Sequence, residues 1–311
     1  MSVRGLMSEF QPKLDLTVRV GCDVVYETIS RVPVLLNLKP RMDPRQAVQS
    51  EMITFGQNLP AEEFEDRHGN IVYRLVLHPG RNEIRHDAIV SITSLHDNQE
   101  LPANPSPVPL AELPPELLRY TLPSRYCDSD KLLNFAWQQF GRVQDGLPRV
   151  QAVCDWVHHN VEYRFGSGSP EISAWDVIQR RFGVCRDFAH CGVALCRALN
   201  LPARYVTGHL PDIGFVDPGT PMDFHAYFEV YLGGKWYTYD ARFNVPRIGR
   251  IKVASGLDAV DAALSTSYGT ARLVHFEVWA YQIPPGSVAP GSPIDLSIRL
   301  DGTPEVRTDA A

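Results

Sequence analysis

The sequence predicts an α+β protein: an N-terminal antiparallel β-sandwich-like domain over residues 1–115, a core of helices followed by strands over 116–285, and a C-terminal tail over 286–311. Three observations carry this expectation. Strand-like runs fill the chain from Leu14 to about Ile92, a Pro-rich stretch interrupts them, and beyond it the apolar period becomes helical before strands return near Ala203.

In the first part, Leu16-Thr17-Val18-Arg19-Val20 alternates, Val32–Leu36 is apolar, and Ile71–Leu77 is rich in β-branched and aromatic residues. Pro33 lacks an N–H, so its run suits an edge strand or a strand start. Leu101 to Pro109, followed by Pro114-Pro115, can hold neither a helix nor a central strand, which puts the boundary between about 100 and 125. After it, Leu133, Trp137 and Phe140 share one helical face, and Val150, Val153, Cys154, Val157 and Val161 share another, with Gly141 and Asn160 as caps. Ser173 with Asp176 resembles a capping box opening a third helix toward Arg181. A fourth helix spans Cys185 to Leu199, with Phe188, Cys191, Leu195 and Ala198 as its apolar stripe. Strands follow at 204–208, 224–232, 235–240 and 274–282, and the Pro- and Gly-rich chain after Pro284 reads as loose.

Composition narrows the classes of function. At 311 residues, 44% hydrophobic and 21% charged, the chain is ordinary for a globular protein, and a formal net charge of -6 offers no basic surface for nucleic acid. No run approaches the roughly 18 apolar residues of a membrane span, and the first ten residues lack the apolar centre of a leader peptide. The expectation is therefore no membrane partner and a cytoplasmic location. Six cysteines in so long a chain are too sparse for a disulfide scaffold and read as thiols, most of them buried.

A cysteine nucleophile reacts as its thiolate, so its surroundings must favour the charge. Cys185 follows Phe182-Gly183-Val184 and opens the fourth helix, where unpaired N–H groups and the positive dipole end would face the sulfur. A histidine comes from a hairpin whose register can be written down. Gly233-Gly234 is a two-residue turn signal, so Leu232 opposes Lys235, Tyr227 opposes Asp240, and His225 opposes Arg242. His225 and Asp240 are then diagonal neighbours on one face, roughly 7–8 Å apart at the backbone, within reach of an imidazole and a carboxylate leaning together. Nucleophile, base and orienting acid would follow the logic of a Cys-His-Asp triad.

Gly183-Val184-Cys185-Arg186-Asp187-Phe188-Ala189-His190, Pro202 to Gly208, Phe224-His225-Ala226-Tyr227 and Trp236 to Asp240, in that order, resemble the transglutaminase-like superfamily, particularly bacterial members described as cysteine proteases. The resemblance runs from about 125 to 285 and implies a papain-like core with Cys185, His225 and Asp240 at the catalytic positions. It also implies that a β domain precedes the core. His209 stands where many relatives carry tyrosine, and Ala241 where proline is common.

The expected function is an amide-bond hydrolase acting through an acyl-enzyme on a protein, peptide or small amide, with the Cys185 N–H as one oxyanion donor. Transfer of the acyl group to an amine is the alternative, and a non-catalytic binding module on the same fold is a third reading. No cofactor or metal is expected. Cys185, Cys191 and Cys196 in one helix, with His190 and His209, do not set four ligands around a tetrahedron, and no calcium loop is recognisable. Cys191 and Cys196 read as core, Asp187 as a cap or dipole partner, Trp175 and Trp236 as core, and His158-His159 as a solvated pair. Arg180, Arg181, Arg186 and Arg197 read as a solvated helical surface.

Overall fold

In the computed structural model, the described residues are 12–56, 59–103, 105–216 and 219–302. The N-terminal segment weighed as a leader, Asn104 of the connector and tail residues 303–311 lie outside them.

The N-terminal region contributes β1 (Leu14–Thr28), β2 (Val32–Leu36), β3 (Gln46–Phe55), β4 (Ala61–Glu65), β5 (Ile71–Leu77) and β6 (Gly80–Thr93). The rest contributes α1 (Ser129–Phe140), α2 (Leu147–Asn160), β7 (Glu162–Tyr163), α3 (Ala174–Arg180), β8 (Phe182–Gly183), α4 (Cys185–Ala198), β9 (Ala203–His209), β10 (His225–Leu232), β11 (Lys235–Tyr239), β12 (Ile251–Gly256), β13 (Ser265–Ser267) and β14 (Arg272–Gln282). Three four-stranded antiparallel sheets result, in the orders β14-β1-β6-β3, β13-β2-β5-β4 and β11-β10-β9-β12. The architecture is α+β. Alternating residues of β1 and β2, such as Val24 and Val34, join the same buried cluster as the apolar face of α4.

The sequence reading placed 274–282 with the core and the chain after it in a loose tail. β14 lies along β1 from Val18↔Gln282 to Glu27↔Arg272, and β13 lies along β2, so the chain returns to the N-terminal sheets after completing the core. Alternation identifies a strand but not its partner, which is why the sequence could not assign it. The following segment is then held in place. Arg19 and Asp87, both fully buried, form an ion pair at 2.7 Å, and Arg19 also donates to the Pro293 carbonyl while Gly291 N–H donates to Asp87. Val288, Ile294 and Ile298 pack on Trp279 and Tyr281.

On α1 the inward face is Leu132, Ala136 and Phe140, while Leu133 and Trp137 are 48% and 42% exposed, so of the face read from sequence only Phe140 turns inward. Apolar mass misled there: the small Ala136 fits against the core and the indole of Trp137 lies outside. Arg197 is also corrected. It is buried, not solvated, and donates to the carbonyls of Leu122, Ala203 and Leu257. At the centre, α4 packs on β10 at Gly192, where an added Cβ would stand 2.4 Å from the Phe228 ring.

Candidate active site

The hairpin supplies the histidine and the acid. Gly233 and Gly234 have φ of 54° and 86°, the paired positive values of a type I′ turn, which match the twist of the flanking strands. The ladder runs Leu232↔Lys235, Val230↔Tyr237, Phe228↔Tyr239, which is the register read from the sequence. Just beyond its last pair the side chains meet: His225 Nε2 lies 2.6 Å from Asp240 Oδ2. The carboxylate only accepts, so the hydrogen belongs on Nε2 and Nδ1 is left as an acceptor.

Asp240 is over-determined by its surroundings. Oδ1 accepts the N–H of Arg242 at 3.0 Å, and Oδ2 accepts Arg250 Nη2 at 3.0 Å. Arg250 in turn donates from Nε to Asp97 at 2.8 Å, so an aspartate just after β6 braces the acid. Burial alone would raise the Asp240 pKa, but His225 and Arg250 outweigh it and hold the carboxyl well below the usual carboxylate range. Burial pulls the His225 imidazole below its ordinary value despite Asp240, with Arg250 and Arg242 adding to the effect.

Cys185 is the only one of the six cysteines not fully buried. Its Sγ lies 3.8 Å from the Phe224 carbonyl, one residue from His225. The α4 start is fixed by Asp187, whose Oδ2 accepts the Val184 N–H at 3.0 Å and the Arg180 guanidinium at 3.1 Å, with Arg186 on Oδ1 at 3.0 Å. Asp187 is thus a cap, and Arg180 and Arg186 are its partners rather than solvated charges. The thiol differs from expectation. Burial, with Asp223 next, pushes it up to about 11 and outweighs the Ala226 N–H and Arg242. A helix N-terminus stabilises a thiolate modestly, while loss of water penalises it strongly.

Cys185 and His225 line one cavity of about 380 Å³, floored by Met222 and Phe224 and walled by Arg242, by Trp279 of β14 and by Leu296 of the tail. A second cavity of about 650 Å³ shares Tyr163, Cys185, Asp223 and Phe224 with the first and is otherwise lined by residues such as Tyr126, Phe165, Tyr205 and Val260; His225 is not in its lining. Cys191 and Cys196 are buried in the core. His158 is not a solvated residue: its Nδ1 donates to the Arg242 carbonyl at 2.9 Å and steadies the loop after Asp240. Trp236 takes the Arg204 guanidinium over its ring at 4.1 Å. His209, fully buried 4.5 Å from the Phe224 ring, has no hydrogen-bond partner on either nitrogen among the described residues, and burial lowers its pKa to about 3.

Sequence reasoning missed Arg250, Asp97 and Arg242. Arg242 was in view only as the residue facing His225. Arg250 and Asp97 lie outside any motif, and nothing periodic links them to Asp240.

Residues 134–241 match the model of the transglutaminase-like superfamily. A Cytophaga hutchinsonii protein of known crystal structure, described as a candidate cysteine protease, is 32% identical, with 89% of this chain and 94% of that chain covered and a TM-score of 0.77. An uncharacterised protein of Mycobacterium leprae (strain TN) is 25% identical over 240 residues, 73% of this chain and 82% of its own length. The family model spans helix start and hairpin alike, and the 32% identity extends over nearly the whole of both chains: this chain belongs to the transglutaminase-like superfamily.

Proposed function

We propose that the chain is a cysteine-dependent amide hydrolase, a peptidase or amidase, in which Cys185 is the nucleophile, His225 the base and Asp240 the orienting acid. One observation carries the reading: a buried His225–Asp240 hydrogen bond of 2.6 Å opens onto the same cavity as the only partly exposed cysteine. The high thiol pKa and the lowered imidazole pKa favour a neutral resting pair, so the proton moves when substrate arrives rather than before.

Nδ1 of His225 takes the thiol proton as sulfur bonds to the amide carbonyl carbon. The carbonyl oxygen turns toward the Cys185 N–H, which lies in the first helical turn and has no intrahelical acceptor. Collapse breaks the C–N bond, and His225 returns the proton to the departing amine. Water, deprotonated by the same nitrogen, then releases the acid and restores the thiol. Asp240 stays ionised throughout, as its two N–H donors and Arg250 favour.

Two cavities meeting at Cys185 leave room for an entering amine, so acyl transfer is the second reading. Mass spectrometry of the protein with an activated amide or ester probe, with and without a lysine-like amine, separates the two. The expected result is an adduct on the Cys185 peptide, absent from Cys185→Ala, that turns over in water. An undiminished adduct in Cys185→Ala would sink the proposal, and amine-dependent product would favour transfer.

A further inference from the structure

The two cavities beside Cys185 differ in chemistry, and only one holds His225. An amine that receives its proton from His225 must depart on the His225 side, into the smaller cavity, which leaves the acyl part for the larger one.

The smaller cavity is lined by three arginines. Arg247 and Arg299 share Asp212, at 3.5 and 3.1 Å. Arg242 is different: among the described residues its guanidinium makes no ion pair, and its Cζ lies over the Tyr163 ring, 3.6 Å from the centroid, with the Phe243 centroid 4.7 Å away. Stacking occupies the face of a guanidinium and leaves its edge donors for a planar anion. Its backbone is anchored to the Asp240 carboxylate, which fixes the arginine next to the reacting centre. Two further carboxylates line this cavity. Asp223 accepts the Phe224 N–H at 2.7 Å, and Glu277 lies at the exposed rim, 3.8 Å from His275. The larger cavity shares Asp223 but is otherwise lined mainly by rings and aliphatic groups, among them Tyr126, Phe165, Tyr205, Val260 and Leu264, and its one arginine among the described residues, Arg186, is engaged with Asp187.

We infer, resting on the hydrolase reading, that the substrate is an acylated amino acid or C-terminal peptide bond: its apolar acyl side fills the cavity of Tyr126 and Phe165, and the free carboxylate of its leaving amine pairs with Arg242. Cleavage forms the Cys185 thioester and breaks the C–N bond, and the amino acid leaves with the proton held by His225. No co-reactant other than water is needed.

The test uses the full chain and three blocked dipeptides: benzyloxycarbonyl-Phe-Ala, its alaninamide counterpart, and benzyloxycarbonyl-Glu-Ala. A charge-assisted contact predicts that the free carboxylate is preferred over the amide in kcat/KM by roughly ten- to a hundredfold, with Phe preferred over Glu in the same sense. Arg242→Gln should collapse the first ratio toward one while leaving the second, and Arg242→Lys should keep part of the first. Thermal unfolding of both variants checks that they fold. A p-nitrophenyl ester, read by mass on the Cys185 peptide, separates the failures. If the ester acylates Cys185 but the dipeptides are cleaved without discrimination or not at all, or if Arg242→Gln keeps the preference, the inference is overturned and the hydrolase reading stands. If nothing acylates Cys185, both fall.

Discussion

Burial sets the protonation of Cys185 and His225, and it sets both toward neutrality. With the thiol near 11, the thiolate fraction grows about tenfold per pH unit through the neutral and alkaline range. Limiting iodoacetamide followed by peptide mapping should label Cys185 before the other five, at a rate still climbing above pH 9; first labelling of Cys191 or Cys196, or a plateau near neutrality, would contradict this. Among substitutions, Cys185→Ala should abolish acylation, and His225→Ala should leave at most the residual catalysis of binding and oxyanion contacts. Asp240→Asn should be comparable or milder, since an amide still bonds Nε2 but favours the wrong tautomer.

His209 makes a second residue-scale prediction. Its folded pKa, about 3, lies below its unfolded value of about 6.5, so the unfolded chain binds more protons between the two. Its contribution to stability is present above about pH 6.5 and is lost as pH falls toward 3. His209→Phe removes the titrating ring and both unpartnered nitrogens, and should flatten the pH dependence of the urea midpoint below pH 6. An unchanged slope would assign the acid lability to other groups.

At the scale of elements, the hairpin is the part the sequence specified most fully, because turn chemistry and period-2 alternation are local. Gly233-Gly234 dictates the register, and the register brings His225 to Asp240. Inserting one residue into that turn should move Asp240 to the opposite face relative to His225 and lower activity as far as Asp240→Asn does. Full activity in the insertion variant would remove Asp240 from its role and turn attention to Asp223. The contact of α4 with β10 was not legible, since nothing in the sequence says which ring Gly192 faces. Gly192→Ala should cost about 1–3 kcal/mol in urea unfolding, through a methyl forced against Phe228. The misread face of α1 has the same origin: a helical pattern shows that a stripe exists, while the neighbouring helices select which edge of it is covered.

At the scale of the whole molecule, the connector and the last strands tie the two regions together. Ser106 accepts the Gly233 N–H at 2.8 Å, Pro102 accepts the Tyr237 hydroxyl at 2.9 Å, and β14 completes the sheet of β1. Limited proteolysis should cut first in the Pro-rich stretch from Leu101 to Pro115. The fragments should nevertheless co-elute on size exclusion and separate only in denaturant, because β13 and β14 remain paired with strands on the other side of the cut. Release of a free N-terminal fragment from native, nicked protein would argue that this pairing is weak.

Sequence alone determined what is local. The starts of α3 and α4, the two-residue turn at Gly233-Gly234, and the pairing of His225 with Asp240 all follow from interactions a few residues apart or from one hairpin. Tertiary structure decided what depends on remote segments meeting. Asp97 reaches Arg250 from 153 residues away and so braces the arginine that holds Asp240, and β14 and the tail wall the cavity beside Cys185. The thiol pKa belongs to this second class as well. A helix N-terminus can be read from the sequence, but the exclusion of water that outweighs it exists only once the chain has closed around the sulfur.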